Sequence, residues 1–369
     1  MRPASEAEKA RLNETFAALC RIPSPFGHEG AIAERVTREL EGMGLTVQAD
    51  EHGNVLARIR GRGERTLLLC AHLDTVEVSG EIEPAIVDGG WENERDTILG
   101  ADNKAAIAVF LELARRVTVE GSPVPLELLL TVEEEDALRG AKAFDAGVLD
   151  CDFGYVLDHA TPIGEVIVAS PTYYRLSAEF RGRAAHAGVR PEAGRSAILA
   201  AATAIAAMPH GRIDDQTTAN VGSIQGGVGS TNVVPERCRI LAEARSIDSD
   251  RVESVIAAMI DAVHDGAAAA ECDVDVVCEK LFEGYRQKGT APAVVAAEAA
   301  LRACGYEPAR ITTGGGSDAN ALIAQGVDVV NLANGTEHNH EPTERVSVAA
   351  LEGMLDVCLA LLDEAAAQP

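Results

Sequence analysis

The sequence predicts an α/β protein that carries an inserted α+β domain. Hydrophobic residues make up 47% of the 369 residues, which is enough to build two cores. Buried strands alternate with amphipathic helices at both ends of the chain, a pattern typical of α/β domains. Residues 170–280 instead follow the ferredoxin-like order of strand, helix, strand, strand, helix and strand. We therefore expect one domain built from residues 1–169 and 281–369, interrupted by a second domain at 170–280.

The elements of the first domain follow from the spacing of apolar residues. Leu12, Phe16 and Leu19 recur at helical intervals and predict a first helix, which begins at the capping-box pattern Ser5-Glu6-Ala7-Glu8. A second helix covers residues 32–43 and stops at Gly44. The remaining elements expected before residue 170 are strands at 45–49, 55–59, 66–71, 125–132 and 153–157 and a helix at 104–117.

The inserted domain begins where the hydrophobic pattern changes to a period of two. Residues 173–180 alternate between apolar and polar side chains, which predicts a half-exposed antiparallel strand. Further elements are expected as a helix at 193–208, strands at 219–224 and 238–244, a helix at 251–264 and a strand at 274–278. The chain then returns to the alternating helices and strands of an α/β domain. We expect a helix at 291–304, a glycine loop, a strand at 327–332 and a final helix from residue 347.

Composition excludes several classes of partner. Asp and Glu number 58 against 32 Lys and Arg, and the net charge of −26 argues against binding to nucleic acid or to an anionic membrane. The longest apolar stretch, at 197–208, is too short to cross a bilayer. The eight cysteines contain no C-x-x-C pair, so we expect no cysteine zinc site and a reducing, cytoplasmic location.

His72-Leu73-Asp74 closes the buried strand at 66–71 and is the first candidate site. Side chains alternate along a strand, so His72 and Asp74 point to the same side. A histidine beside a carboxylate can be a metal ligand whose partner fixes its tautomer. The alternative is a structural histidine held by a local hydrogen bond.

Acidic and histidine residues also stand where other strands should end. In open α/β sheets, ligands collect at the carboxyl ends of the strands. Each position has another explanation, since Asp102 could be a helix N-cap and the three glutamates a solvated turn. Together they form a set of histidines and carboxylates that suits divalent metals, zinc foremost. The positions are Asp102, Glu133, Glu134, Glu135, Asp158 and His340.

Charge counting favours a pair of metals. Two Zn²⁺ ions bring four positive charges, which Asp102, Glu135, Asp158 and one bridging hydroxide would balance. A further carboxylate would take the proton of the water and pass it to the leaving amine. Spacing alone does not decide which glutamate has which role.

Several ordered motifs resemble one known family, the zinc aminoacylase and carboxypeptidase superfamily of metallopeptidases, and most closely its tripeptidase (peptidase T-like) branch. The resemblance implies a catalytic domain with a mixed sheet flanked by helices, and an inserted ferredoxin-like lid or dimerisation domain. It also implies two zinc (or cobalt or manganese) ions per subunit and a homodimer. The motifs are Ala71-His72-Leu73-Asp74-Thr75, Gly100-Ala101-Asp102-Asn103-Lys104, Thr131-Val132-Glu133-Glu134-Glu135, Gly182-Arg183-Ala184-Ala185-His186-Ala187-Gly188, Glu243-Ala244-Arg245-Ser246 and Gly314-Gly315-Gly316-Ser317-Asp318.

The resemblance assigns roles to individual residues. Asp102 would bridge both metals, Asp74 would support His72, and Glu134 would be the general base. His186 of the inserted domain would stabilise the oxyanion, often across a dimer. The implied metal ligands are His72, Asp102, Glu135, Asp158 and His340. The groups implied to hold a substrate carboxylate are Asn232, Arg245, Gly314, Gly315 and Gly316.

The chain departs from the family pattern at a few positions. Asp136-Ala137 replaces the usual Ile-Gly, Asn103 replaces a second aspartate, and His159 replaces a common glycine. His159 could therefore compete for metal or contact the substrate. His338 could be mistaken for the ligand, but the step from His340 to Glu344 matches the family.

The sequence thus predicts a cytoplasmic dinuclear zinc metallopeptidase that hydrolyses short peptides. A metal-bridged hydroxide would be the nucleophile and Glu134 the base. The alternatives on the same site are an N-acyl amino acid amidohydrolase, a dipeptidase or a carboxypeptidase. A non-catalytic metal-binding module is a third hypothesis, against which the retained Glu134 argues.

Overall fold

The chain folds into two units, and the computed structural model describes residues 1–367. Unit 1 contains Met1–Val168, Gln287–Thr312 and the chain from Gly316 onward. Unit 2 contains Ala169–Arg286 and the short segment Thr313–Gly315.

Nine α-helices occur in the described residues. In chain order they are α1 (Glu6–Cys20), α2 (Gly30–Gly42), α3 (Ala101–Glu120), α4 (Arg139–Ala143), α5 (Ala197–Ala207), α6 (Ser249–Ala269), α7 (Pro292–Ala303), α8 (Asp318–Ala324) and α9 (Val348–Ala367). None of the helices within residues 1–367 is long and apolar enough to span a bilayer.

The strands up to the start of unit 2 are β1 (Thr46–Ala49), β2 (Val55–Ile59), β3 (Leu67–His72), β4 (Pro84–Val87), β5 (Gly90–Asn93), β6 (Leu126–Thr131), β7 (Phe153–Leu157) and β8 (Glu165–Ser170). Those that follow are β9 (Thr172–Arg181), β10 (Gly211–Asp214), β11 (Thr217–Gly226), β12 (Arg237–Ser246), β13 (Asp273–Phe282), β14 (Tyr285–Arg286), β15 (Ala309–Thr312), β16 (Val329–Leu332), β17 (Thr336–Glu337) and β18 (Arg345–Ser347).

A mixed sheet forms the centre of unit 1. Its strands lie in the order β1, β2, β6, β3, β7, β16 and β8, with β15 beside β8. The middle strands β6, β3, β7 and β16 run parallel, so their carboxyl ends meet at one edge. Every residue of β3 is buried, because helices cover both faces of a parallel sheet. The mixed, helix-flanked sheet expected from the sequence is confirmed.

Several elements of unit 1 differ from the sequence prediction. The sequence does not predict the hairpin of β4 and β5 or the strands β8 and β15. Strands β4, β5 and β15 have only four residues each. The helix expected at 104–117 is longer and begins at Ala101. The capping box at Ser5 and Glu8 is present at the start of α1.

Unit 2 has a ferredoxin-like arrangement. Its strands lie in the order β10, β11, β12, β9 and β13, and the neighbours within this sheet pair antiparallel. Helices α5 and α6 pack on one face around Leu176, Phe180 and Met259. The helix expected at 193–208 begins only at Ala197, because the Ser196 side chain caps it there and Pro191–Ala193 forms a 3-10 turn.

Candidate metal centre

The parallel strands of unit 1 deliver the candidate residues to one edge of the sheet. His72 is the last residue of β3, and Thr131 of β6 is its direct neighbour across the ladder. Glu134 and Glu135 follow β6 after a short turn, and Asp158 follows β7 directly. Because β6, β3 and β7 are adjacent and parallel, these side chains converge.

Asp102 lies between two histidines. Its Oδ1 is 3.1 Å from Nε2 of His72, and its Oδ2 is 3.4 Å from Nε2 of His340. Asp102 does not cap α3, whose N-cap residue is Gly100. A carboxylate that offers one oxygen to each of two histidines has the arrangement expected of a group that bridges two cations.

Two further carboxylates complete the cluster on either side of Asp102. Asp158 Oδ1 is 3.6 Å from Nε2 of His72, and Glu135 Oε1 is 3.0 Å from Nε2 of His340. Donor atoms of His72, Asp102 and Glu135 lie within 4.8 Å of one another, as do those of His72, Glu134 and Asp158. Two imidazoles and several carboxylates at this spacing form a donor set that suits borderline divalent metals.

Asp74 supports the site in two ways. Nδ1 of His72 is 3.0 Å from the main-chain oxygen of Asp74 and 3.5 Å from its Oδ1, so the main chain is the nearer acceptor. The Asp74 carboxylate accepts the main-chain N–H groups of Glu134 at 3.0 Å and Glu135 at 2.9 Å. The sequence had suggested only the contact with His72. Asp74 therefore orients the imidazole and also holds the segment that carries the two glutamates.

The buried carboxylates of the cluster favour positive charge on the neighbouring histidines. Burial first, and then the charge of Asp102, raises the pKa of Asp158 to about 6. The adjacent carboxylates of Asp102 and Glu135 raise the pKa of His340 to about 10. Although burial opposes it, the charge of Asp158 raises the pKa of His72 well above its usual value. The crowded carboxylates thus favour positive charge on both imidazoles, a role that metal cations can take over.

Glu134 has a different environment from the ligand candidates. Desolvation, followed by the charge of Asp158, raises the pKa of its carboxyl group well above the ordinary value. A carboxyl group with a raised pKa is suited to accept a proton from water and to release it again.

Two buried acids at the site were not among the residues singled out from the sequence. Glu344 accepts the main-chain N–H groups of Gly100 at 2.7 Å and Asp102 at 2.9 Å, and so holds the loop that carries Asp102. Asp318 accepts a short hydrogen bond from the hydroxyl group of Thr131 at the end of β6. The motif around Asp318 and the position of Glu344 were visible in the sequence, but no spacing rule indicated these contacts.

Of the positions where the chain departs from the family pattern, Asp136 and His159 have local partners, whereas the buried side-chain amide of Asn103 has no hydrogen-bond partner among the described residues. Asp136 pairs with Arg139 at 3.0 Å. The main-chain oxygen of His159 accepts N–H groups of Thr161 and Asn334, and burial lowers the pKa of its side chain. Both His338 and His340 are exposed, but it is His340 whose imidazole lies within 3.4 Å of Asp102 and 3.0 Å of Glu135.

In unit 2, His186 and Asn232 come together. Their segments continue the pairing of β9 with β12, as His186 forms a bridge with Val233 and the N–H of Ala187 donates to the main-chain oxygen of Asn232 at 2.9 Å. Both side chains are exposed.

Arg245 and Gly314 form a second group in unit 2. The guanidinium of Arg245 lies 4.0 Å from the ring centroid of Tyr173, donates to both carboxylate oxygens of Glu243, and donates to the main-chain oxygen of Gly314 at 3.4 Å. The main-chain oxygen of Gly315 accepts from the hydroxyl group of Ser170. Gly316 belongs to unit 1 and precedes Ser317, the N-cap of α8.

Two family profiles match the chain. The profile described as a peptidase dimerisation domain matches residues 173–271, which lie in unit 2. The profile described as peptidase family M28 matches residues 54–161, which include His72, Asp102, Glu134 and Asp158.

Similar proteins cover nearly the whole chain. The uncharacterised protein YqjE of Bacillus subtilis is 35% identical over 96% of this chain and 98% of its own. The crystal structure of aminopeptidase PepT from Bacillus cereus is 36% identical, with a TM-score of 0.87 over 97% of this chain and 99% of that chain. The structure of a tripeptidase from Staphylococcus aureus is 32% identical, with a TM-score of 0.92 over 98% and 99%.

Proposed function

Because the chain belongs to the M20 family of metallopeptidases and is similar to its peptidase T-like members, we propose that it is a dinuclear zinc enzyme that hydrolyses short peptides. The observation that carries this proposal is the position of Asp102 between His72 and His340, with Glu134 beside the cluster. Zinc is the metal that this donor set suits best, with cobalt or manganese as alternatives.

Each proposed ligand has a place around the two ions. Asp102 would bridge them through its two oxygens. His72 and Asp158 would hold one ion, and Glu135 and His340 the other, because these pairs lie on opposite sides of Asp102. When bound, the two ions would lower the pKa of the attacking water and polarise the scissile carbonyl.

The chain supplies the proton transfers. Glu134 accepts the proton of the attacking water and delivers it to the nitrogen of the leaving amine. Asp74 keeps Glu134 in place through the main-chain N–H of that residue. His186 would donate a hydrogen bond to the oxyanion that forms when the carbonyl is attacked.

Substrate anchoring is proposed for Asn232 and Arg245 of unit 2 and for the glycine segment Gly314, Gly315 and Gly316. Arg245 is held in one orientation by Glu243 and by stacking on Tyr173, so it is prepared to bind a carboxylate. The glycine segment Gly314, Gly315 and Gly316 would add main-chain donors near Arg245. Asn232 lies beside His186 and would therefore contribute its amide together with that histidine.

The geometry of unit 2 supports a homodimer with shared sites. His186 and Asn232 lie beyond the Arg237 end of β12, whereas Arg245 is near its other end. Strand β12 has ten residues and therefore spans about 30 Å, whereas an extended tripeptide spans only about 10 Å. One subunit's own His186 and Arg245 therefore do not reach the same short peptide, and we infer that His186 serves the site of the partner subunit.

A surface for this dimer is available on unit 2. In the described part of the chain, β10 covers β11 only at Thr217–Ala219, so the rest of that edge can pair with a second copy. Ile224 on this edge is 50% exposed and Leu199 on α5 is 59% exposed. We also propose a cytoplasmic location, which the eight free cysteines support.

The principal test compares Glu134→Gln with Glu133→Gln in the zinc-loaded protein. Glu134→Gln should lower turnover of di- and tripeptides at least about 100-fold, because the proton acceptor is lost, while elemental analysis still finds two ions per subunit. Glu133→Gln is the matched control and should keep near-normal turnover. A Glu134→Gln enzyme with near-normal turnover would remove Glu134 from the base role.

The alternative substrates use the same site and require a separate comparison. An N-acyl amino acid amidohydrolase, a dipeptidase or a carboxypeptidase would need the same metals and base. Rates on tripeptides, dipeptides and N-acetyl amino acids, measured side by side, distinguish these activities. Preference for N-acetyl amino acids over all free peptides would contradict the peptidase proposal.

A further inference from the structure

The turn that carries Glu134 and Glu135 is held by a carboxylate far away in the sequence. Glu29 precedes α2, and only 7% of its surface is exposed. Its Oε1 accepts the main-chain N–H of Gly27 at 2.7 Å and that of Glu133 at 3.1 Å. Glu29 therefore binds the residue immediately before the proposed base.

Three successive main-chain N–H groups are bound by two carboxylates. Glu29 binds the N–H of Glu133, and Asp74 binds those of Glu134 and Glu135. The backbone at Glu133 has a φ of 51°, in the left-handed region that is unfavourable for a residue with a side chain. Such a turn persists only where the surrounding contacts hold it.

The loop of Glu29 is itself fastened to the end of β3. The N–H of Phe26 donates to the main-chain oxygen of Thr75 at 3.0 Å, and the N–H of Thr75 donates to that of Ser24 at 2.8 Å. The Ser24 hydroxyl group donates to the main-chain oxygen of Leu73 at 2.9 Å. The carboxylate of Glu29 is thus held in register with the segment that carries His72.

We propose that Glu29 is a positioning residue for Glu134 and Glu135. It contacts neither substrate nor metal and acts through the backbone of Glu133. Without its acceptor oxygen, the turn relaxes and the two glutamate side chains move relative to His72. The inference rests on the proposed roles of Glu134 as base and Glu135 as ligand.

The two hydrogen bonds that Glu29 accepts make it possible to distinguish a purely structural role of this residue from a positioning role. Both donors use the same oxygen, Oε1, so glutamine at this position can accept both hydrogen bonds. Aspartate keeps the charge but is one methylene shorter. The proposal therefore predicts that acceptor geometry, and not charge, decides activity.

The experiment compares Glu29→Ala, Glu29→Asp and Glu29→Gln with the control Glu34→Ala, an exposed glutamate on α2. We expect Glu29→Ala and Glu29→Asp to lower kcat about 10- to 100-fold, as for other groups that orient catalytic or ligand side chains. KM should change less than about threefold, because substrate contacts are untouched. Glu29→Gln and Glu34→Ala should stay within about threefold of the wild-type kcat.

Zinc titration of the metal-free variants supplies a readout that does not depend on turnover. Glu29→Ala should weaken one of two zinc sites about 10- to 100-fold through Glu135, whereas Glu29→Gln should not. If Glu29→Ala does not fold, the contrast between Glu29→Asp and Glu29→Gln decides the question. The proposal would be overturned if Glu29→Asp kept the wild-type kcat and zinc affinity. It would also be overturned if Glu29→Gln and Glu29→Asp lost kcat and zinc affinity equally. A wild-type protein that binds two zinc ions but cleaves no peptide would instead overturn the proposed function, and the zinc titrations would still test Glu29.

Discussion

At the scale of single residues, Asp102 offers its two oxygens to His72 and His340, which lie on opposite sides of it. Glu344 holds the backbone at Asp102 and keeps this orientation. Of the two histidines, Asp158 contacts His72, so it belongs to the His72 side of the cluster. Removal of Asp102 should therefore weaken the binding of both metal ions, and removal of Asp158 the binding of only one.

The first prediction concerns the loss of these carboxylates. Asp102→Ala should lower the zinc content from two ions to fewer than one per subunit, because a shared ligand is removed. Asp158→Ala is the comparison and should keep one ion. Elemental analysis after dialysis measures both contents. Two full equivalents in Asp102→Ala would contradict the bridging role.

The second prediction concerns protons that metal binding displaces. The pKa of His340 is raised to about 10 and that of His72 is raised well above its usual value, so the metal-free protein favours the protonated form of both imidazoles. Metal binding requires neutral imidazoles, so loading the site should release at least about two protons per subunit. Metal affinity should accordingly rise as the pH rises and fall as the pH falls.

Calorimetry in two buffers of different ionisation enthalpy counts these protons. His340→Ala should release about one proton fewer than the wild type. Binding enthalpies that do not depend on the buffer would show that the histidines are already neutral.

Some residues of the cluster could be predicted from the sequence, and others could not. His72 and Asp158 follow apolar runs that end as strands, so local hydrophobicity was sufficient to place them. Glu344 and Glu29 contact backbone groups 242 and 104 positions away, and no local pattern encodes such contacts. Their roles therefore became visible only in the structure.

At the scale of elements, the close approach of β3 and β7 depends on Gly154. Gly154 pairs with Leu68, and a Cβ at this position would lie 2.5 Å from Cβ of Leu68 and 2.7 Å from its main-chain oxygen. Both strands are buried, so neither can move easily. These two strands carry His72 and Asp158 to the site.

The third prediction follows from this packing. Gly154→Ala should lower the free energy of unfolding by about 1–3 kcal/mol, as overpacked core sites do. Gly42→Ala at the end of α2 has no atom within 4 Å of the added carbon and should stabilise by about 0.5 kcal/mol. Chemical denaturation measures both changes. Equal effects in the two variants would show that the approach of β3 and β7 is not tight.

The elements themselves were largely predictable. Strand β7 occupies the predicted residues 153–157, because a buried parallel strand is a continuous apolar run. The β4–β5 hairpin was not predicted, because β4 has only four residues, of which Ile86 and Val87 are exposed, and because β5 pairs with β18 from the far end of the chain. Short strands of this kind are specified by their partners and not by their own sequence.

At the scale of the whole molecule, His186 and Arg245 lie at opposite ends of β12. A short peptide does not span that distance, so the roles proposed for His186 and Arg245 would require two copies of the chain. The match of residues 173–271 to a peptidase dimerisation domain agrees with this arrangement.

The fourth prediction tests the shared site by mixing two inactive variants. His186→Ala and Glu134→Gln should each show strongly reduced turnover as homodimers. After subunit exchange, half the dimers are mixed and each has one complete site, so activity should recover to about a quarter of the wild-type value. Activity that stays at the sum of the two variants would place His186 in its own subunit's site.

The sequence alone determined the fold class, the family and the strand-end positions of the candidate ligands, because hydrophobic periodicity and short motifs are local properties. The tertiary structure decided which oxygen of Asp102 faces which histidine, and that Asp74, Glu344 and Glu29 hold the backbone around the cluster. It also placed His186 and Arg245 at opposite ends of one strand. These features depend on distances between residues that are remote in the chain, which only the packing of strands and loops can set.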